Sequence, residues 1–377
     1  MVDLLIDTRF LSLALLALLT LMWAIQLIFY WGFFWRLAHY RTKSVPDSQS
    51  GVSVVICAHN EYYHLKENLP FILDQDYSEY EVLVVNHASD DDTRFLLQGF
   101  EEQFPHLKTI TIEEDLNFFS GKKFPLSIGI KSARYDKILL TDADCKPASR
   151  EWIKKMASGF KPGVEVVLGY GPYNRHKGFL NKLIRYDTVH IAIQYLSYAL
   201  AGIPYMGVGR NLSYLKPVFY RNKGFISHYQ IRSGDDDLFV NRVANRSNTA
   251  IMLHPGSFTY SDPKFHFGKW ITQKKRHLST SNHYKFKHKI LLGAYSLSLL
   301  LFYALTIGLL IGKVSVIPVL GLFLLRLFSQ YFVGSRAMKQ LGERDLIPWS
   351  PFYEIVLLIL NTSVLVSNIF HKSRKWK

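Results

Sequence analysis

The sequence predicts an α/β fold built on a mostly parallel sheet and bracketed by one N-terminal and two to three C-terminal transmembrane helices. Short β-branched runs alternate with helix-periodic stretches between residues 52 and 170, the pattern of strand, helix and returning parallel strand. Before them, no charge interrupts Phe10 to Trp35; as a helix that run extends roughly 39 Å, enough to cross a bilayer with tilt. After Lys289 there are three more apolar runs: Ile290 to Ile311, Val314 to Val333 and Phe352 to Phe370.

The first apolar run ends in the aromatic belt Tyr30, Trp31, Phe33, Phe34, Trp35 with no small-residue cleavage pattern after it, so it reads as an anchor and not as a removed signal. Arg36, Arg41 and Lys43 come next, and the positive-inside rule places the region after them in the cytosol. A polar stretch from Ser44 to Gly51, with Pro46 inside it, then leads to the strands Val52 to Ala58 and Glu81 to Asn86, separated by a helix over Glu61 to Leu73. Further strands are expected at Lys108 to Glu113, Lys137 to Thr141 and Glu165 to Tyr170, with a helix over Phe124 to Ala133. The expected divisions are an anchor over 1–43, a cytosolic catalytic region over 44–289 and a membrane region over 290–377. Within the last of these, Arg326 must snorkel, pair or line a protein interior.

The net charge of +15 over 377 residues asks for an anionic partner. Lys, Arg and His crowd between Lys264 and Lys289 with Phe265, Phe267, Trp270, Tyr284 and Phe286 among them. Bases could stack on such aromatics, but the run stands directly before a membrane segment, so membrane lipids are the expected partner and nucleic acid is not. Cys57 and Cys145 each fall in or beside an apolar strand, which speaks against a disulfide and for a reducing compartment.

Chemistry concentrates at Leu139-Leu140-Thr141-Asp142-Ala143-Asp144, an apolar strand ending in two carboxylates one residue apart. Both can reach one hard cation and leave it positions for phosphate oxygens, although a solvated turn would use the same residues. The triple Asp235, Asp236, Asp237 could cap a helix opening at Leu238 or supply a general base. Lys122 is either a loop cation or a partner for diphosphate. His254 and His266 are the histidines within reach of a third-ligand role, with nothing further to recommend them.

Taken in order over Val52 to Thr280, these segments resemble the family 2 glycosyltransferases of GT-A fold, whose sheet is Rossmann-like. VSVVICAHNE resembles the family's first strand and nucleotide turn, with Asn60 and Glu61 at the donor; EVLVVNHASDDDT resembles the second, bringing Asn86 and His87. TDAD resembles the metal motif, GVGRNLSY the acceptor side with Gly209, Arg210 and Asn211, SGDDDL the base loop, and QKKRH the pyrophosphate motif with Gln273 and Arg276. Two positions depart from the pattern: Asn86 and His87 stand where paired acids are usual, and His277 replaces a tryptophan.

The resemblance implies a nucleotide-sugar donor, uridine-based by preference, and Mg²⁺ or Mn²⁺ held by Asp142 and Asp144. Lys122, Gln273 and Arg276 would meet the diphosphate, and Asp235, with Asp236 as the alternative, would act as base. It implies an inverting hexosyl transfer to a lipid or lipid-linked acceptor at the cytosolic face of a membrane, expected to be a bacterial inner membrane. A processive polysaccharide synthase and a non-catalytic nucleotide-sugar-binding scaffold are the alternatives. The basic tail His371 to Lys377, held in the cytosol by the positive-inside rule, would require an odd number of crossings, with Ile290 to Ile311 or Val314 to Val333 not fully spanning.

Overall fold

The computed structural model describes residues 2–42, 50–113, 121–231 and 233–370. Lys43, most of the expected linker and the basic tail lie outside the described residues. The chain divides into two compact units, one made of Met1–Tyr40 with Lys285–Phe370, the other of Arg41–Tyr284.

The second unit is built on a seven-stranded sheet. Its strands are β1 (Val52–Ala58), β2 (Tyr80–His87), β3 (Leu107–Ile112), β4 (Lys137–Leu140), β6 (Val166–Leu168), β7 (Leu212–Leu215) and β8 (Thr249–Ile251), while β5 (Lys146–Pro147) and β9 (Thr259–Tyr260) form a separate pair. The order is β3-β2-β1-β4-β7-β6-β8. β1, β2, β3 and β4 run parallel, and so do β6 and β8. β7 alone is reversed, inserted antiparallel between β4 and β6.

Continuous apolar runs such as VSVVICA suit strands covered on both faces, and β1 is buried over nearly its whole length. Leu65, Leu69, Ile72 and Leu73 of the helix Tyr62–Leu73 pack on one face with Trp152, Ile153 and Met156. The helix Lys123–Ser132 lies close against the sheet at Gly129, where a Cβ would come within 2.6 Å of Val55 Cγ1. This packing leaves the carboxyl ends of β1, β2 and β4 facing the loops, where ligands of open α/β sheets are usually found.

Among the described residues, the first unit holds four helices long and apolar enough to cross a membrane: Phe10–Ala38, Phe286–Ile311, Val316–Gln340 and Arg344–Ser367. The short connection after Ile311 turns through Lys313 and Ser315, both with positive φ (54° and 46°), which lets two long helices succeed one another almost directly. Arg326 takes the pairing option: it forms an ion pair with Glu354 and is buried. Its guanidinium also donates to Gln330 Oε1 (3.0 Å), Tyr303 Oη (3.0 Å), Tyr30 Oη (3.1 Å) and Gln26 Oε1 (3.3 Å). The hydroxyls of Tyr30 and Tyr303 in turn donate to the two Glu354 oxygens, each at 2.9 Å. All four helices contribute to this node.

Candidate functional site

Strand β4 ends at Leu140, and the chain turns through Asp142 and Asp144. Ligand atoms of Asp142, Asp144 and Cys145 all lie within 4.8 Å of one another. The Lys122 ammonium pairs with Asp142, and the two side chains keep 26% and 36% of their exposure, so the pair is open to a ligand. Burial works to raise Asp142, but Lys122, Arg210 and Arg276 more than offset it and hold the carboxyl below its ordinary range. Asp144 is offset only in part. Burial and the neighbouring Asp142 charge raise it by more than Arg210 and the Cys145 thiol lower it.

The turn that the sequence suggests for the donor is assembled from the ends of β1 and β2. Asn60 and Ala88 adopt left-handed backbone, with φ of 57° and 45°, a conformation uncommon away from glycine and costly for alanine. Reciprocal bonds hold it: the Asn60 amide donates to Ser89 Oγ (2.9 Å), and the Asp90 amide to Asn60 Oδ1 (2.8 Å). Asp91 accepts from the amides of Tyr62 (3.2 Å) and Thr93 (3.1 Å), which keeps its carboxyl ionised and below the ordinary range against a burial effect that acts the other way. Asn86 and His87 are buried behind this turn, and Asn86 Oδ1 accepts from Ser89. Asn60 and Asn86 thus shape the turn, and the Glu61 carboxylate is near enough to Asp144 to help raise it.

Arg210 leaves the acceptor-side segment and reaches the acids. Its guanidinium stacks over Tyr173, 4.2 Å from the ring centroid, donates to Ser261 Oγ (2.9 Å), and is held above its ordinary range by Tyr173, Cys145, Asp144 and Asp142 although burial acts to lower it. Gln273 Nε2 lies 3.5 Å from the Tyr173 hydroxyl, and Arg276 helps lower Asp142. Tyr173 therefore joins Arg210 to the helix Phe267–Thr280; it belongs to no motif read in the sequence. That helix is fixed by Lys274, whose ammonium donates to both oxygens of Asp187 (2.6 and 2.7 Å). His277 is exposed at its surface, and crowding by the protein around it together with the cations Arg276, Arg210 and Lys274 acts to lower it, which favours a neutral ring.

Asn211 differs from its two neighbours. It is fully buried, its Nδ2 donates to the carbonyls of Tyr170 (2.9 Å) and Ser257 (2.7 Å), and its Oδ1 accepts from Trp152 Nε1 (3.1 Å). Its polar groups are committed to the scaffold. The Gly209 amide donates to Asp236 Oδ2 (2.7 Å), and a Cβ at this glycine would meet that oxygen at 3.3 Å.

The three consecutive aspartates have separate duties. Asp236 caps the helix Asp237–Val243 by accepting from the Asp237 amide at 2.7 Å, in addition to Gly209. Asp237 is buried and accepts from Thr280 Oγ1 and from Tyr284 Oη (2.7 Å), joining the helix start to the segment after the QKKRH motif. Asp235, among the described residues, has no hydrogen bond from another side chain. Burial pushes it up to about 6, with Asp236 and Asp142 adding to the rise and Lys122 opposing it. Asp236 is likewise pushed up to about 6 by burial and by Asp237, against its two amide donors. Lys122 thus lies within electrostatic reach of both Asp142 and Asp235; burial would lower it, and these carboxylates keep it protonated well above its ordinary value.

His254 is spent locally, its Nδ1 accepting from the Gly256 amide at 3.0 Å. Cys57 and Cys145 are free thiols. Burial pushes Cys57 up to about 12 and Cys145 well above its ordinary value, so both remain protonated.

Residues 53–213 match the model of Glycosyl transferase family 2. A curated relative, poly-beta-1,6-N-acetyl-D-glucosamine synthase of Staphylococcus epidermidis, is 29% identical over 102 residues, 27% of this chain and 24% of its own length. An uncharacterized glycosyltransferase of Haemophilus influenzae is 28% identical over 107 residues, 28% of this chain and 32% of its own. The match therefore spans between about a quarter and a third of those relatives. Among solved structures, mannosyltransferase PcManGT from Pyrobaculum calidifontis, in complex with GDP-Man and Mn²⁺, aligns over 92% of this chain and 99% of its own with a TM-score of 0.58 at 18% identity. That likeness shows a shared GT-A fold.

Proposed function

We propose, from the premise that this chain belongs to glycosyltransferase family 2 through residues 53–213, that it is an inverting enzyme moving a sugar from a nucleotide-sugar donor to a lipid or lipid-linked acceptor. The observation that carries the reading is the division of labour among the acids. Asp142 is held down by Lys122, Asp144 is raised by burial and by Asp142 beyond what Arg210 offsets, and Asp235 is the one member of its triple without a structural partner among the described residues.

The donor set fits a divalent cation. Two carboxylates converge, Asp144 is only partly offset by Arg210, and the nearby Cys145 thiol stays protonated, which suits a hard oxygen-preferring ion such as Mg²⁺ or Mn²⁺. Asp144 and Asp142 would hold it, and when bound it would supply counter-charge to the diphosphate as the nucleotide leaves. Arg210, Arg276 and Gln273 would orient the diphosphate, the two guanidiniums as charged donors and the amide as a neutral one.

Asp235 would take the proton of the acceptor hydroxyl as that oxygen attacks the anomeric carbon. A carboxyl raised to about 6 is a better base than an ordinary aspartate and is still mostly ionised near neutrality. One direct displacement with no enzyme nucleophile inverts the anomeric centre. His277, neutral where the family pattern has tryptophan, offers the acceptor region a smaller ring.

The lipid-linked acceptor is supported by the surface beside the pyrophosphate helix. Phe265 and Phe267 are 65% and 53% exposed between Lys264 and Lys269, and Phe179, at the start of the helix Phe179–Leu200, is 53% exposed. His176, just before that helix, ties it to the aromatic segment by bonding Asp262 at 2.9 Å and packing edge-on against Phe265. Exposed aromatics among cations favour the lipid headgroup zone. The test is mass spectrometry of lipid extracts after supplying UDP- and GDP-sugars to membranes holding the chain. A glycolipid formed by the wild type and lost in Asp235→Asn is expected; efficient transfer to a purely soluble acceptor would overturn the lipid assignment.

A further inference from the structure

Lys123 lies beside the site without belonging to any motif read in the sequence. It is the first residue of the helix Lys123–Ser132, where a cation opposes the helix dipole, and it is only 4% exposed. A buried ammonium is expensive unless its three donors are satisfied. Here the Nζ donates to the carbonyls of His228 (2.9 Å), Ser233 (2.7 Å) and Ile231. Three donors meet three backbone acceptors, all from the segment immediately before the aspartate triple.

The last of these acceptors is one residue away from a hinge. Gly234 has φ +98°, and a Cβ there would strike Leu238 Cδ1 at 2.5 Å, so glycine is required. Beyond it stands Asp235. Glycine would let Asp235 wander; fixing the carbonyl before it removes that freedom. Lys122, one residue earlier, pairs with Asp142. One peptide bond therefore connects the cation that meets the metal motif to the cation that holds the loop.

We propose that Lys123 is a positioning residue that clamps the 228–233 segment and thereby sets Asp235 against the acceptor. The proposal rests on the reading of Asp235 as the base, but its structural half, order in the loop, can be measured without turnover. Lys123 acts through backbone carbonyls and touches neither donor nor acceptor. Its loss should therefore lower kcat while leaving nucleotide affinity in place.

The experiment uses the full chain in lipid nanodiscs. Hydrogen exchange of the amides from Ile226 to Asp237 is compared in wild type, Lys123→Met and Lys123→Arg, alongside Mn²⁺-dependent binding of UDP and of GDP. In Lys123→Met the loop amides should exchange at least about 10-fold faster, as when a local opening becomes cheaper, while β1 to β3 change less than about twofold and nucleotide affinity stays within about threefold. Lys123→Arg keeps the charge and should recover part of the protection. Once a transfer assay exists, kcat should fall by about 10²-fold in Lys123→Met, the range of a misplaced general base, with the donor KM unchanged. Unaltered loop exchange in Lys123→Met overturns the clamp, and so does nucleotide affinity that falls in step with turnover. If Lys123→Met loses protection throughout, Lys123→Arg decides: a loop that exchanges more slowly than in Lys123→Met, or faster than wild type with β1 to β3 unaltered, supports the clamp, and exchange raised equally in the loop and in β1 to β3 refutes it. Failure of wild type to bind either nucleotide or to transfer sugar would instead count against the proposed function, whatever the loop does.

Discussion

Among the described residues, each unit contains a cluster of charged groups, and the two are put together on opposite plans. In the unit of long apolar helices, Arg326 and Glu354 pair one to one, Gln330 on the Arg326 helix accepts a further hydrogen bond, and Tyr30, Gln26 and Tyr303 add others from neighbouring helices. In the catalytic unit, Asp142, Asp144, Asp235 and Asp236 share Lys122, Arg210 and Arg276 unevenly, so some carboxyls are lowered and others raised. A balanced cluster stabilises one arrangement of helices. An unbalanced one is held under electrostatic stress that a cationic or phosphorylated ligand can relieve, and uneven pKa shifts of this kind are characteristic of functional sites. Removing a charge should therefore damage folding in the first cluster and chemistry in the second.

The largest effect is expected at Asp144. Asp144→Asn should lower transfer by on the order of 10³-fold or more, comparable with loss of a principal electrostatic group, and excess EDTA should do the same to wild type. Since burial and the Asp142 charge oppose ionised Asp144 by more than Arg210 and Cys145 favour it, the same variant should melt no lower than wild type in the absence of metal. Full activity in EDTA would remove the metal assignment. A large fall in melting temperature would show that the cluster is structural after all.

The membrane pair should behave in the opposite sense. Arg326→Leu or Glu354→Leu alone leaves an unpaired buried charge, which costs about 3–5 kcal/mol in buried pairs of this type. The double substitution removes both charges and should cost less than either single one. Thermal unfolding in detergent measures the first claim and the double-mutant cycle the second, while transfer per folded molecule should stay within about threefold of wild type. A double variant that folds well but no longer transfers sugar would give the node a part in the reaction.

A smaller effect is expected within the aspartate triple. Asp235→Asn should keep nucleotide binding and lose about 10²-fold in kcat, the low end for a positioned base. Asp236→Asn should instead loosen the fold, because its oxygens accept from Gly209 and Asp237 at 2.7 Å each. If Asp235→Asn is active and Asp236→Asn is folded but inactive, the base is Asp236.

How far these two clusters can be seen in the sequence differs for a physical reason. Asp142 and Asp144 announce themselves because the preceding strand is a continuous apolar run and the acids come directly after its end; β1, β2 and β4 are legible on the same grounds. Strand β7 is hidden within the acceptor-side motif, since four residues, Leu212 to Leu215, are too few for periodicity to separate a strand from a loop. The helix Phe179–Leu200 escapes sequence reasoning too. Its buried residues include Arg185, Asp187 and Asn181, which break an amphipathic stripe and are tolerated only through tertiary partners such as Lys274 for Asp187. Tyr173, Lys123 and Glu354 carry roles made entirely by contacts between distant segments, and no local pattern contains that information. Arg210 is legible as a site residue, but its direction is not: stacking on Tyr173 turns it towards the metal acids.

The smallest effect, and the one that sets activity against stability within a single unit, is the response to pH. Asp235 and Asp236 are raised from 3.8 to about 6 in the folded protein. Without a bound cation, the folded chain therefore retains protons between about pH 4 and 6 that the unfolded chain has already released. In that window stability must fall as pH rises, and it levels off above about 6. Activity should move the other way, because the base works only when ionised: kcat/KM should drop up to about tenfold per pH unit below about 6. The two carboxyls interact, so the acid limb reports the pair and not one residue. Thermal melts in EDTA and initial rates in Mn²⁺ over about pH 4.5 to 7.5 would check both slopes. Asp235→Asn should flatten the stability slope by removing one of the raised groups, whereas Arg326→Leu with Glu354→Leu should leave it unchanged. A wild-type stability that rises through this window would mean that the acids are compensated in the folded state, and the contrast between the balanced and the unbalanced cluster would be lost.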